Sequence, residues 1–370
     1  MKRPFDDQLL YQRVQAQLTR VAGKRSDCPR ASVLVRSDRL GIDTLAQIGS
    51  GGPDAFHVAS VGKLFTAVMV ARLVDRGLLH FSDPVAPLLA PGTLDRLFVI
   101  DGIDHQHQVT IAQLLSHTSG AADYYADRSV GGRSVSRLIV DQPDTGWTPQ
   151  DLLQFSREQQ SAVARPGAQF HYSDTGYIVL GLVVEALTGT SFTDAVHRDL
   201  FEPLGMSRTF FPFRTSPAVG TSDLRPAFLH GKEISRNASI TADWAGGGVA
   251  STEHDLLRFG RALSSGQLVA NRTLAKMEQF DWVFLRGIRY GLGCMQYRFG
   301  EWFPLFRSYP KMHGHMGVLG THLCYDRELD LHIVISLGSD AAVESSVRLL
   351  IAVVGFVRRV ARNTKRSAAR

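Results

Sequence analysis

The stretch Phe56-His57-Val58-Ala59-Ser60-Val61-Gly62-Lys63-Leu64-Phe65 places a serine and a lysine at the start of an apolar segment. Lys63 is the only formally charged residue between Ala55 and Ala71, and a lone ammonium on such a helix costs free energy unless a neighbour needs it. Residues at positions i and i+3 share a helix face, so the Ser60 hydroxyl and the Lys63 amine can meet. Desolvation and the positive end of the helix dipole both disfavour the charged amine, which predicts a lysine able to accept a proton.

This pattern is typical of an activated serine, because a serine hydroxyl is a weak nucleophile until a neighbouring base acts on it. The same pattern also fits an ordinary helix start whose lysine extends its ammonium to solvent. The two interpretations differ in whether other parts of the chain supply partners for Ser60 and Lys63.

The composition is that of an ordinary soluble globular protein, with 44% apolar and 21% charged residues. The 370 residues suffice for one large domain or two intertwined ones. The net charge of +6 is mild. No basic run interleaved with aromatic residues and no zinc-finger or recognition-helix pattern is present, so we expect no nucleic-acid partner.

The cysteines and the chain ends favour a cytoplasmic location. Cys28, Cys294 and Cys324 are widely separated and odd in number, which argues against a disulfide framework and fits a reducing compartment. The first residues, Met1–Gln8, lack the apolar segment of a secretory signal. The longest apolar run, Leu349–Val357, is too short to span a bilayer.

Strand-type segments lie at both ends of the chain, and helix-type segments lie mainly between them. Strands are predicted over residues 32–35, 44–48, 290–297, 319–325 and 331–337. Helices are predicted over residues 9–21, 60–79, 109–117, 149–160, 175–187, 193–200, 253–263 and 341–361, with a flexible loop over 245–250. We therefore expect an α/β (α+β) fold in which residues 1–82 and 245–370 form a sheet domain, residues 83–244 form a mainly helical domain, and the active site lies between them.

Two further segments carry polar side chains suited to the same chemistry. Tyr172-Ser173-Asp174 precedes an apolar helix. Its tyrosine fits either a core residue with a bonded hydroxyl or a general base whose pKa nearby cations lower. His315-Met316-Gly317 lies among glycines near a predicted strand start, where a ligand can approach the backbone closely.

Together these segments resemble the motifs of the serine β-lactamase and penicillin-binding-protein superfamily, namely Ser-x-x-Lys, Tyr-x-Asn and then Lys-Thr-Gly or His-x-Gly. Val109–Gly120 is similar to the family's Leu-Leu-x-His-Thr-Ser-Gly segment, and Gly246–Thr252 is similar to its Gly-Gly-x-x-Ser-Thr turn. The likeness covers roughly residues 30–340 and is strongest for the class C branch, which also holds D-Ala-D-Ala carboxypeptidases, D-aminopeptidases and family VIII esterases. It implies a β-lactamase/transpeptidase-like fold, with a central antiparallel sheet flanked by helices and a helical insertion domain.

The resemblance implies a role for each matched residue. Ser60 would form the acyl-enzyme, while Lys63 and Tyr172 would share the general-base and general-acid work. The backbone N–H groups of Ser60 and Val318 would form an oxyanion hole aimed where charge develops. His315 would stand where lactamases carry lysine, and would hydrogen-bond the Tyr172 hydroxyl or bind a substrate carboxylate. The pairs His105/His107 and His313/His315 lack matching carboxylate or cysteine ligands, and no Walker or dinucleotide motif is present, so we expect no metal and no cofactor.

Two positions depart from the family pattern, although Gly317 keeps the family's glycine. Asp174 stands where the pattern has asparagine, and both Asp174 and Gly317 are expected to contact the substrate. An ionised carboxylate only accepts hydrogen bonds and would hold Lys63 charged, which favours Tyr172 as the base. His315 replaces a lysine, and a neutral imidazole binds a substrate carboxylate poorly. That change favours neutral esters or amides over β-lactams and D-Ala-D-Ala peptides.

We therefore expect a serine hydrolase of the class C type that cleaves a small ester through an acyl-enzyme. One alternative is a D-amino-acid peptidase or carboxypeptidase, or a weak β-lactamase. Another is a non-catalytic scaffold or ligand-sensing relative. Intact Ser60, Lys63 and Tyr172 argue against a scaffold, since a dead relative has no need to keep all three.

Overall fold

Strands from both ends of the chain pair into one eight-stranded antiparallel sheet. The computed structural model describes the backbone of residues 7–49, 51 and 54–368, and the side chains of residues 8–361 within those ranges. The strands are β1 (Ala31–Ser37), β2 (Ile42–Ile48), β3 (Phe56–His57), β4 (Val99–Ile100), β5 (Ile103–Asp104), β6 (Phe228–Leu229), β7 (Lys232–Glu233), β8 (Ala250–Ser251), β9 (Trp282–Leu285), β10 (Ile288–Tyr290), β11 (Met295–Tyr297), β12 (Met312–Gly317), β13 (Thr321–Asp326) and β14 (Leu331–Ser336). The sheet order is β2-β1-β14-β13-β12-β11-β10-β9, so a strand from the start of the chain lies beside the last strand.

Helices cover both faces of this sheet and fill the middle of the chain. They are α1 (Asp7–Ala22), α2 (Lys63–Asp75), α3 (Ile111–Leu115), α4 (Val135–Asp141), α5 (Pro149–Gln159), α6 (Asp174–Thr188), α7 (Phe192–Val196), α8 (Trp244–Gly247), α9 (Glu253–Ser264), α10 (Asn271–Met277), α11 (Phe299–Trp302) and α12 (Val343–Ala368). Thr110 and Thr252 cap α3 and α9, because each hydroxyl accepts a backbone N–H of the first turn.

The central strands are buried on both faces, and their alternating side chains enter two different cores. Val33 and Val35 of β1 pack on the side of α1 and α12. Leu34 of β1 and Val334 of β14 pack on the opposite side, with α2 and α9. The molecule therefore has three layers, with the sheet between the two terminal helices and the remaining helices.

The core on the α2 side joins distant parts of the chain. Phe65 of α2 packs against Phe201, with ring centroids 5.5 Å apart, and against Phe259 of α9, at 4.3 Å. One hydrophobic cluster thus includes residues on both sides of positions 82 and 245. The division into two domains at those positions stays a prediction.

The predicted end of the first core helix is wrong, and a glycine gives the reason. The helix expected over residues 60–79 consists of a 3₁₀ turn, Ala59–Gly62, followed by α2, which ends at Asp75. Gly77 adopts a left-handed φ of +71°, and its N–H bonds to the Val74 carbonyl. A glycine in this conformation ends helices readily because it has no Cβ to clash.

Three other predicted segments differ in the structure. The strand expected over residues 290–297 is a hairpin, since Gly293 at φ +79° turns the chain between β10 and β11. β12 was missed because its sequence is rich in glycine and histidine, and pairing with β11 and β13 overrides that low strand preference. Residues 245–250 are buried and include the end of α8, so they are not a flexible loop.

The expectation drawn from Met1–Gln8 falls mostly on residues outside those that the structure describes. Within the described ranges, no single helix combines the length and the apolar character needed to cross a bilayer. The segments Asp174–Thr188 and Phe192–Phe201 meet that test only as a pair, and they are bent by 76° relative to each other.

A buried ion pair ties the segment before β6 to α9 and to the sheet. Arg225 donates to the Glu253 carboxylate at 2.6 and 3.2 Å and to the Ser32 hydroxyl at 3.1 Å. Both charged side chains are only 4% exposed. Removing one partner leaves a buried charge without compensation, whereas removing both does not.

We predict that Arg225→Met lowers the free energy of unfolding by about 3–5 kcal/mol in urea denaturation followed by circular dichroism. The double variant Arg225→Met/Glu253→Met should recover most of that loss. Arg208→Met is the matched control, because its ion pair with Asp54 is exposed and contributes about 0–1 kcal/mol. Equal losses in the single and double variants would contradict this account.

Candidate active site

Lys63 is fully buried, and groups from three separate elements hold its amine. Nζ lies 3.2 Å from Ser60 Oγ on the preceding 3₁₀ turn and donates to the Gly246 carbonyl of α8 at 2.7 Å. It also forms a short ion pair with Asp174 at the start of α6. The alternative in which Lys63 extends its ammonium to solvent is therefore wrong.

These contacts serve both protonation states of the amine. An ammonium has three N–H donors, and Ser60, Gly246 and Asp174 supply three acceptors. A neutral amine keeps two donors for Gly246 and Asp174 and turns its lone pair to the Ser60 hydroxyl. In that form the arrangement can take the Ser60 proton.

The backbone on either side of Ser60 is held by its neighbours. Ala59 has a left-handed φ of +49°, and its N–H donates to His57 Nδ1 at 3.1 Å. A Cβ on Gly317 would lie 2.8 Å from the Ala59 Cβ, so only glycine lets the end of β12 lie against this turn. Val318 follows directly and is half-buried. The structure thus places Ser60 and Val318 on adjoining elements, and their oxyanion role stays a prediction.

The loop after α3 positions the Tyr172-Ser173-Asp174 segment. The Ser173 N–H donates to His117 Nδ1 at 3.0 Å, and the Asp174 N–H donates to Asp123 Oδ1 at 3.0 Å. The Tyr172 ring stacks on the His117 ring, with centroids 4.0 Å apart. The two segments that matched the family around residues 117 and 172 are therefore in direct contact.

Tyr172 lies beside Ser60 and Lys63 as a neutral phenol. Its ring centroid is 5.0 Å from Lys63 Nζ, and its hydroxyl interacts with that of Ser60. Burial and the Asp174 carboxylate raise the pKa of Tyr172 well above its ordinary value, and the Ser60 hydroxyl offsets only part of this. The phenol keeps its proton at neutral pH, which favours Lys63 over Tyr172 as the base, contrary to the expectation drawn from Asp174.

His315 lies behind Tyr290 and is fully buried. Its Nδ1 is 2.6 Å from the Met316 carbonyl and its Nε2 is 2.9 Å from the Tyr290 hydroxyl. A hydrogen bond to the Tyr172 hydroxyl or to a substrate carboxylate does not fit, because both ring nitrogens are used. Burial, aided by the Lys63 charge, lowers the pKa of His315 to about 3, so the imidazole is neutral. His315 can therefore affect catalysis through its hydrogen bond to Tyr290.

Tyr290 joins two histidines into one directional chain of hydrogen bonds. His117 Nε2 lies 3.0 Å from the Tyr290 hydroxyl. Since His117 Nδ1 accepts the Ser173 N–H, its proton is on Nε2 and donates to Tyr290. Tyr290 can then donate to His315 Nε2, whose ring donates through Nδ1 to a carbonyl. Sequence reasoning missed Tyr290, because it lies in an ordinary strand outside every motif.

The comparison with known families decides the assignment. The family model described as Beta-lactamase matches residues 52–353. The chain belongs to the beta-lactamase family. Penicillin-binding protein 4 of Amycolatopsis lactamdurans is 34% identical over 215 residues, which are 56% of this chain and 50% of that protein. The match therefore spans only about half the length of that relative.

Two solved structures share the fold of this chain. The D-stereospecific amidohydrolase from Streptomyces sp. aligns with a TM-score of 0.74 at 24% identity, over 90% of this chain and 95% of its own. EstCE1, described as a hydrolase with promiscuous acyltransferase activity, aligns with a TM-score of 0.74 at 21% identity, over 95% and 99%. The β-lactamase/transpeptidase-like fold, with its central antiparallel sheet, is confirmed.

In this member of the family an aromatic wall stands beside Tyr172. Phe284 of the edge strand β9 lies 5.4 Å from Tyr172 between ring centroids, and Phe170 lies 6.3 Å from Phe284. All three rings are partly buried rather than enclosed. The wall suits the apolar part of a small substrate. No sequence signal marked Phe170 or Phe284, because contacts between distant segments place them there.

Glycines let α8 lie directly against the Ser60 turn. A Cβ on Gly247 would lie 2.7 Å from the Ala59 carbonyl oxygen, and one on Gly62 would lie 2.8 Å from the Gly247 Cα. This close approach lets the Gly246 carbonyl reach Lys63. The glycine-rich segment therefore serves packing rather than flexibility.

We predict that Gly247→Ala displaces the Ser60 turn and slows its labelling by a fluorophosphonate probe by about 10- to 100-fold, because a misplacement of about 1 Å at a reacting centre has effects of that size. Gly146→Ala is the matched control, since an added Cβ there meets nothing within 4 Å. Thermal unfolding of both variants verifies that they are folded. Labelling of Gly247→Ala at the wild-type rate would rule out this packing role.

Proposed function

We propose that this protein is a serine hydrolase that cleaves a small ester through an acyl-enzyme on Ser60. The observation that carries the proposal is the buried Lys63 amine, 3.2 Å from Ser60 Oγ and fixed by Asp174 and Gly246. A serine needs such a neighbour to become nucleophilic. A scaffold or ligand-sensing protein would gain nothing from burying a lysine at this position, where it costs free energy.

In the proposed acylation step, neutral Lys63 takes the Ser60 proton as Oγ attacks the ester carbonyl carbon. The backbone N–H groups of Ser60 and Val318 stabilise the oxyanion, each donor contributing about 2.7–4 kcal/mol. The bond to the leaving oxygen then breaks, and the Tyr172 phenol gives that oxygen its proton. The Lys63 ammonium returns a proton to Tyr172. Water hydrolyses the acyl-enzyme by the same route in reverse and releases the acid.

The charges around the site support a substrate without a carboxylate. Within the described residues, Lys63 is the cation beside Ser60, and its charge is already matched by Asp174. His315 is neutral and enclosed behind Tyr290. β-Lactams and D-Ala-D-Ala peptides carry a carboxylate that would find no counter-charge here, so esters are favoured over both.

Amide cleavage is a second candidate, and the state of Tyr172 favours it. An amine leaves poorly unless it receives a proton, and the raised pKa of Tyr172 keeps a proton available beside Ser60. One similar structure is described as a D-stereospecific amidohydrolase. We also propose a cytoplasmic location, supported by three buried free thiols, Cys28, Cys294 and Cys324.

We predict that Ser60→Ala lowers p-nitrophenyl butyrate turnover below about a thousandth of the wild-type rate and abolishes fluorophosphonate labelling in intact-protein mass spectra. The melting temperature should stay near that of the wild type, because Ser60 is only half-buried. Nitrocefin turnover is measured alongside. If the fluorophosphonate labels the wild type and the enzyme turns over nitrocefin but not p-nitrophenyl butyrate, the assignment moves to a lactamase. A folded wild type that the fluorophosphonate does not label would support the scaffold alternative.

A further inference from the structure

Asp243 is a carboxylate at the edge of the site that the proposed reaction does not use. It stands at the start of α8, three residues before Gly246, whose carbonyl accepts from Lys63. Its side chain is 15% exposed, and its Oδ2 lies 3.5 Å from Nε2 of His57, the ring whose Nδ1 accepts the N–H of Ala59 next to Ser60. Burial and the nearby Asp174 raise the pKa of Asp243 to about 7.

In the described part of the chain, no group donates a hydrogen bond to this carboxylate. His57 Nε2 lies 3.5 Å from Asp243 Oδ2 and is itself without a hydrogen-bond partner. The His57 ring is 4% exposed, and its Nδ1 accepts the Ala59 N–H, which places the ring proton on Nε2. Burial lowers the pKa of His57 to about 4, so this ring adds no positive charge.

The other charged or titratable groups around the site are already matched or neutral. Lys63 is paired with Asp174. His117 and His315 are neutral, since burial lowers the pKa of each. Burial and the Asp174 charge raise the pKa of Asp123 to about 8, so that carboxyl is largely protonated at neutral pH. Among the residues named here, Lys63 is the cation that acts on Asp243, and Asp174 already pairs with it. Asp243 is therefore partly ionised at neutral pH, and a bound cation would favour its charged form.

We propose that Asp243 binds an ammonium group of the substrate, at a position beside the His57 ring. An ammonium supplies three N–H donors and a positive charge. These are the partners that the Asp243 carboxylate lacks among the described residues. Because His57 also holds the N–H of Ala59, the subsite lies next to Ser60 and receives the acyl part of the substrate. The substrates are then amino-acid esters or amides with a free amino group. This inference rests on the proposed acyl-enzyme function.

The test compares phenylalanine methyl ester with N-acetyl-phenylalanine methyl ester, using both enantiomers at neutral pH. We expect the wild-type kcat/KM to favour the free amine by about tenfold or more, which corresponds to one charge-assisted hydrogen bond. In Asp243→Asn that preference should fall towards one, mainly through KM, and Asp243→Glu should keep part of it. Asp326→Asn is the matched control, because burial also raises the pKa of that carboxyl, at the end of β13.

A wild type without preference for the free amine would overturn the proposal. An equal fall of kcat/KM for both esters in Asp243→Asn would also overturn the proposal. It would assign Asp243 to positioning Ser60 through His57. Fluorophosphonate labelling of every variant separates these outcomes from a failure of the acyl-enzyme function, in which the wild type itself would not label.

Discussion

The buried amine of Lys63 is the constraint on which the rest of the site depends. An ammonium enclosed in an apolar helix is very costly without partners, and the chain supplies them from Ser60, Asp174 and Gly246. To do so, the start of α6 and the end of α8 must lie against the Ser60 turn, which only glycine backbone permits at Gly247. The contacts that satisfy the amine also hold the serine hydroxyl beside it. One arrangement therefore sets both the stability of this region and its chemistry.

On the side of Tyr290, the groups around the Lys63 amine carry no charge. The chain of hydrogen bonds from Ser173 through His117, Tyr290 and His315 is buried and neutral. No charged side chain lies along that chain of hydrogen bonds, and the charged groups named around the serine hydroxyl are Lys63, Asp174 and Asp243. Family members with asparagine and lysine at positions 174 and 315 would have one carboxylate less and one cation more. In the proposed function, the two departures would act together against anionic substrates.

Much of this arrangement could be predicted from the sequence, because short local motifs identify the residues that form the candidate active site. The resemblance brought Ser60, Lys63 and Asp174 together, and the structure joins them by direct contacts. Local patterns do not report which side chains face one another across a sheet. His315 was therefore expected to bond to the Tyr172 hydroxyl or to a substrate carboxylate, whereas its Nε2 is bonded to the Tyr290 hydroxyl. The glycines near 247 were interpreted as flexible, because a sequence does not show which backbone approaches them. β12 was missed, since pairing on both sides outweighs its weak strand preference.

The most direct test of the account is the rate of Ser60 acylation by a fluorophosphonate in the wild type, in Lys63→Met and in Tyr172→Phe, with circular dichroism to verify that each variant is folded. If Lys63 is the base, Lys63→Met should acylate about 100-fold or more slowly than the wild type, because a positioned general base contributes a factor of that size. Tyr172→Phe should stay within about tenfold of the wild-type rate, because the fluoride leaving group needs no proton from the phenol. Acylation of a folded Lys63→Met at the wild-type rate, or a loss in Tyr172→Phe as large as that in Lys63→Met, would contradict the account.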